Sequence, residues 1–179
     1  ALVYSDNIYF AKAAIKIGKE NLKRNLDNIG FNEKIEFAQE IAQSTYGKID
    51  SEPTLANSGY GQNEIMVNPI HMASIYSAFA NGGNMVKPYI ILDDKNKYWK
   101  ESVISEETAN TIKNDLIQVV ERGTAKDCKI EGKTIAGKTG TAEIKASQDD
   151  KDGEEIGWFN AFDEDSLLVI SLIENAKSK

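Results

Sequence analysis

The chain has 179 residues, 41% hydrophobic and 27% charged, with 21 Lys+Arg against 28 Asp+Glu and a net charge of −7. That length supports one domain with a sizeable core, and the composition is that of an ordinary globular protein. The acidic balance argues against nucleic acid or an anionic membrane surface as the main partner, because both reward a basic face. The lysines at 126, 129, 133, 138 and 145 cluster and read as a locally positive, mostly solvated stretch. One cysteine, Cys128, excludes an internal disulfide and a cysteine-based metal site, and the single His71 excludes a histidine cluster. No apolar run approaches the roughly 18 residues of a membrane span and no signal peptide opens the chain. Any anchor is therefore expected outside this sequence.

Ser5-Asp6-Asn7 offers N-cap residues to a first helix over residues 8–17, with Gly18 as its stop. Phe10, Ala11, Ala14, Ile15 and Ile17 are expected on its buried side. A second helix over 19–29 carries Leu22 and Leu26 one turn apart and ends at Gly30. Residues 31–58, with Gly47, Pro53, Asn57 and Ser58, read as a long irregular connection with short extended pieces. Pro69 suits the first turn of an apolar helix over 70–81, closed by Gly82-Gly83, which puts His71 at a helix start in a structural role.

Residues 86–92 read as a strand and Asp93-Asp94-Lys95-Asn96 as a turn. Ser105 opens a helix over 107–122 with Ile112, Leu116, Val119 and Val120 inward and Gly123 as stop. Strands over 134–144, 156–162 and 167–173 form an antiparallel meander, with a polar acidic tip over 147–155. The fold class is α+β, one domain over 1–179 with a helical part to about 125 and the meander over about 134–173. A meander with uncovered edges implies that the domain is incomplete.

The sharpest chemistry lies in Ala136-Gly137-Lys138-Thr139-Gly140-Thr141-Ala142. Glycines inside a strand weaken it, and close approach of a ligand or another backbone is the usual reason. An ammonium, hydroxyls and backbone N–H groups along one strand edge suit a carboxylate beside a developing oxyanion. Ser5-Asp6-Asn7 is first a helix cap, but a serine there can also relay a proton in a cleft, and an asparagine amide can hold a substrate amide.

Taken together, Ser5-Asp6-Asn7 and Lys138-Thr139-Gly140 resemble two of the three active-site motifs of penicillin-binding proteins and class A β-lactamases. Their separation of 133 residues is similar to that of class B penicillin-binding transpeptidases and longer than in the β-lactamases. Asn57-Ser58-Gly59-Tyr60-Gly61-Gln62, Val67-Asn68-Pro69 and Ile156-Gly157-Trp158-Phe159 resemble further segments of those transpeptidases, so the likeness runs over essentially the whole chain. It looks closest to the low-affinity class B enzymes of Gram-positive bacteria. The resemblance implies part of a transpeptidase fold, of which three C-terminal strands are present. It implies Ser5 and Lys138 as the proton-relay pair, with Lys138 hydrogen-bonded to Ser5. It further implies Asn7 on the substrate's acyl amide, Thr139 with Gly140 at its carboxylate, and Thr141 supplying an oxyanion N–H. Gln62 and Glu143 are assigned to the cleft rim, Asp6 to structure. No cofactor and no metal are implied.

The departure is the nucleophile. No serine here has a lysine three residues on, so the Ser-x-x-Lys motif is missing and this chain alone is expected to be inactive. The reading is therefore a fragment of a peptidoglycan D,D-transpeptidase. Stem peptides and β-lactams are its expected ligands, and the missing N-terminal half of the same domain is its expected partner. The parent is expected to be membrane-anchored on the extracytoplasmic face. The competing readings are a β-lactam sensor or other non-catalytic penicillin-binding domain, and a β-lactamase relative.

Overall fold

The computed structural model describes residues 1–91, 98–144, 153–165 and 167–176. A 3-10 turn over Leu2–Tyr4 leads into α1 (Asn7–Ile17), whose N-cap is Asp6, its carboxylate accepting from Tyr9 N at 3.0 Å. Only Ala14 of α1 is fully buried, while Ile15 and Ile17, expected inward, are exposed. The physical reason is neighbourhood rather than periodicity. The helix meets α2 (Lys19–Asn28) and α3 (Glu52–Ser58) on its Ala14 side, and Ile15 and Ile17 lie off that side.

Helix α3 corrects the expectation of an irregular connection through residue 58. Ser51 and Thr54 form a reciprocal capping box, Thr54 N to Ser51 Oγ at 3.3 Å and Ser51 N to Thr54 Oγ1 at 3.0 Å, and Pro53 occupies the first turn. Its Leu55 joins Ala14 and Ile49 in a small core. Gly59 closes α3 against α1, where a Cβ would stand 2.6 Å from both Ala14 Cβ and the Phe10 carbonyl oxygen. The rest of the connection is held by a backbone bridge between Thr45 and Met66 and by side chains bonding to backbone. Ser44 Oγ accepts from Asn68 N at 2.9 Å, and Asn68 Oδ1 caps α4 (Pro69–Ala80) through Ile70 N at 2.8 Å.

His71 in α4 is fully buried between Phe31 and Trp99, its Nε2–H donating to the Ile29 carbonyl at 2.7 Å. Gly30 lies under the same indole with φ 94, a backbone angle and a space that admit no side chain. Here β2 (Tyr98–Lys100) pairs antiparallel with β1 (Met85–Val86). The strand expected over 86–92 is thus only its first residue, because the ladder partner is three residues long. Residues 87–91 are not extended into the sheet, Leu92 and the turn expected at 93–96 lie outside the described residues.

Helix α5 (Glu106–Arg122), capped by Ser105 Oγ accepting from Thr108 N at 3.1 Å, packs on β3 (Ile135–Ile144), the first strand of a sheet completed by β4 (Glu154–Asp163) and β5 (Leu168–Ile173). The sheet is an antiparallel meander in the order β3-β4-β5, as the alternation and turn signals imply, while most of the acidic tip lies outside the described residues. Leu116 of α5 and Tyr76 of α4 pack on Ala136 and Phe162, and Val119 and Val120 pack with Ala125, Ile135 and Phe159. Truncating Leu116 to alanine would cost about 2–5 kcal/mol. Ile112, expected fully inward, is partly buried at the margin of this core. Together these contacts fix β3 against the end of α5.

Candidate active site

Ser5 occupies the junction between the first turn and α1 with φ 54 and ψ 49, a left-handed conformation unusual for serine. This turn of the chain aims its hydroxyl at β3 rather than along α1, whose cap is Asp6. Lys138 Nζ donates to Ser5 Oγ at 2.9 Å and to the Thr139 carbonyl oxygen at 2.8 Å. Lys138 is partly buried, and desolvation holds its ammonium below the ordinary lysine range.

The N–H and C=O of one residue in an extended strand point to the same side, and successive residues alternate. The Thr139 carbonyl takes Lys138, and the Thr141 carbonyl takes Gln62 Nε2 at 3.5 Å from the loop after α3. Both groups therefore face the edge of β3 opposite β4, and so do the N–H groups of Thr139 and Thr141. No strand covers that edge among the described residues. Gly137 is packed tightly, since a Cβ there would lie 3.1–3.2 Å from the Phe159 ring and Ala161. Among the described residues a Cβ at the exposed Gly140 would meet Trp158 Cβ alone, at an ordinary 3.4 Å, and no neighbour there demands a glycine.

Ser5, Lys138, Thr139, Thr141 and Gln62 are thus gathered along one edge. Asn7 is exposed at the first position of α1, two residues beyond Ser5. Glu143 stands farther out on β3 in register with Glu155, more than one strand position from the Lys138–Thr141 segment. Two residues join the site that motif reading passed over. Thr124 Oγ1 lies 2.9 Å from Thr139 Oγ1, and its only sequence signal is a polar residue directly after a helix-stopping glycine. Asn160 is buried directly across the ladder from Lys138, and its Oδ1 has no hydrogen-bond partner among the described residues. Beside it burial pushes the Tyr76 hydroxyl up in pKa, and hydrogen bonding from Asn160 opposes that rise. An open groove lined by Phe37, Lys87, Tyr89 and Ile90 shares no residue with this site.

A helical layer thus lies against an antiparallel sheet, and a serine and a lysine from segments 133 residues apart meet at the sheet edge. Solved structures with this fold include penicillin-binding protein A of Mycobacterium tuberculosis as its imipenem acyl-enzyme complex. That structure matches with a TM-score of 0.85 at 24% identity, over 100% of this chain and 42% of that one. The chain belongs to the penicillin-binding protein transpeptidase domain family, whose model matches residues 1–179. It is 41% identical to penicillin-binding protein 3 of Bacillus subtilis over 100% of this chain and 28% of that protein. It is 29% identical to stage V sporulation protein D of the same organism over 97% of this chain and 29% of that protein. The chain thus spans under a third of the length of these two relatives.

Proposed function

We propose that this chain forms the Ser5–Lys138 side of the active site of a peptidoglycan D,D-transpeptidase. The observation that carries the reading is the 2.9 Å contact between Lys138 Nζ and Ser5 Oγ, made by residues 133 apart in sequence. In the whole protein, the serine of an upstream Ser-x-x-Lys would attack the carbonyl of a stem peptide's D,D-dipeptide. The C–N bond to the terminal residue breaks as the acyl–serine bond forms, and the leaving amine needs a proton. Ser5 would deliver it, with the Lys138 ammonium stabilising the transient alkoxide. Asn7 would bind the acyl amide of the substrate. The Thr139 hydroxyl beside Gly140 would bind the terminal carboxylate, and the Thr141 N–H would serve as one oxyanion donor. The missing Cβ at Gly140 leaves that edge open to a substrate backbone. Gln62 and Glu143 would border the cleft. β-Lactams, which present the same acyl and carboxylate groups, would enter the same site. The whole protein would work on the extracytoplasmic face of the cell membrane; no described helix of this chain is long and apolar enough to cross a membrane.

Fluorescent penicillin tests the reading directly. The longer protein carrying Ser-x-x-Lys should be labelled covalently, and the 179-residue chain should not. An unlabelled longer protein would overturn the function, and a penicilloyl adduct on this chain would overturn the assignment of the nucleophile elsewhere.

A further inference from the structure

Thr124 follows Gly123, the residue that ends α5, and its side chain is exposed. Two contacts nevertheless fix it to both halves of the site. Its backbone N–H donates to the Val3 carbonyl at 3.2 Å, two residues ahead of Ser5. Its hydroxyl lies 2.9 Å from the Thr139 hydroxyl, next to Lys138. Gly123 makes the first contact possible, because a Cβ there would stand 2.3 Å from the Val3 carbonyl oxygen.

A hydroxyl carries one proton and can accept as well as donate. If Thr139 is to give its proton to an anion, the bond between the two threonines must run from Thr124 to Thr139. Thr139 then accepts from Thr124 while donating outward, and the first bond polarises the second. We propose that Thr124 is a positioning residue for carboxylate recognition, aiming and polarising the Thr139 hydroxyl. The proposal rests on the transpeptidase reading of this site. A merely structural tie between the first turn and β3 would need the backbone contact to Val3 and the bulk of the side chain, not the hydroxyl.

The test uses the protein carrying this segment together with its Ser-x-x-Lys. Thr124→Val keeps the bulk and the backbone N–H and removes only the hydroxyl; Thr124→Ser keeps the hydroxyl. Second-order acylation rates are measured with penicillin G and with its carboxylate methyl ester. The ratio of the two rates, acid over ester, should fall about fivefold in Thr124→Val, the scale of one hydrogen bond between neutral groups, since Thr139 keeps its own bond to the carboxylate. Thr124→Ser should restore it. A ratio unchanged in Thr124→Val, whether or not both rates drop, overturns the proposal. A wild-type protein that neither compound acylates overturns the transpeptidase reading first, and this proposal with it.

Discussion

Lys138 and Ser5 meet at 2.9 Å through a lysine whose surroundings disfavour its charge. A lysine with a folded-state pKa below its unfolded value opposes folding below that unfolded value, and the penalty fades as pH rises through the folded pKa toward it. The penalty is greatest below the folded pKa, where the lysine is charged in both states. Lys138→Met should therefore leave the melting temperature equal or higher, while acylation of the whole protein falls by about 100-fold or more, the scale of a lost acid–base group. Calorimetry and penicillin labelling on one preparation check both halves. A clear drop in melting temperature would show that Lys138 is held for stability instead.

Gly123 sets the spacing between the two motif-bearing segments. A methyl group there meets the Val3 carbonyl at 2.3 Å and the Val119 backbone at 2.9 Å, both stiff neighbours. Gly123→Ala should cost about 1–3 kcal/mol, as overpacking does. The strain falls on the turn that carries Ser5, so labelling of the whole protein should drop further than the lost stability explains. Labelling at wild-type rate in a destabilised variant would sever Gly123 from the site.

Much of this was legible before the structure. Pro69 and Ser105 at the helix starts and the glycines after α4 and α5 located both helices to within a residue or two, because their signals are local. The meander was legible for the same reason. Helix α3 was not, since Pro53, Asn57 and Ser58 read as breakers, although proline in a first turn beneath a capping serine starts a helix. The short β1–β2 pairing depends on a partner twelve or more residues away, which periodicity along one strand cannot report. Ile15 and Ile17 follow the amphipathic pattern of α1 but lie off its packed Ala14 side. Thr124 was hidden because its role arises from two contacts across the fold and from no pattern of its own.

His71 supplies a pH prediction. Burial holds its imidazole below the ordinary value of 6.5, with the Ile29 carbonyl and Glu33 opposing that shift and Lys100 adding to it. Glu33 and Lys100 themselves form an ion pair at 2.6 Å. The folded state keeps His71 neutral, so its contribution is present above the unfolded pKa and is lost as pH falls from 6.5 through the folded value. The melting temperature should fall between neutral pH and pH 5, and His71→Gln, which retains a donor for Ile29 but cannot titrate, should flatten that slope. An unchanged slope in the variant would remove His71 as its origin.

The outer strand β5 supplies the last prediction. Val169 and Ile173 lie on one face of it by the two-residue repeat, both exposed, and Leu172 and Ile144 are exposed on the other face of the sheet. Beyond β5 no further strand is paired among the described residues, which makes it an edge strand of the sheet. An apolar edge strand is a template for another copy. The 179-residue chain should therefore self-associate at micromolar concentration, by light scattering. Lysine at 169 and 173 should reverse this, since charges on an edge strand oppose pairing and cost little where the side chains are already solvated. A wild-type chain that stays monomeric and melts cooperatively would show that this face needs no cover.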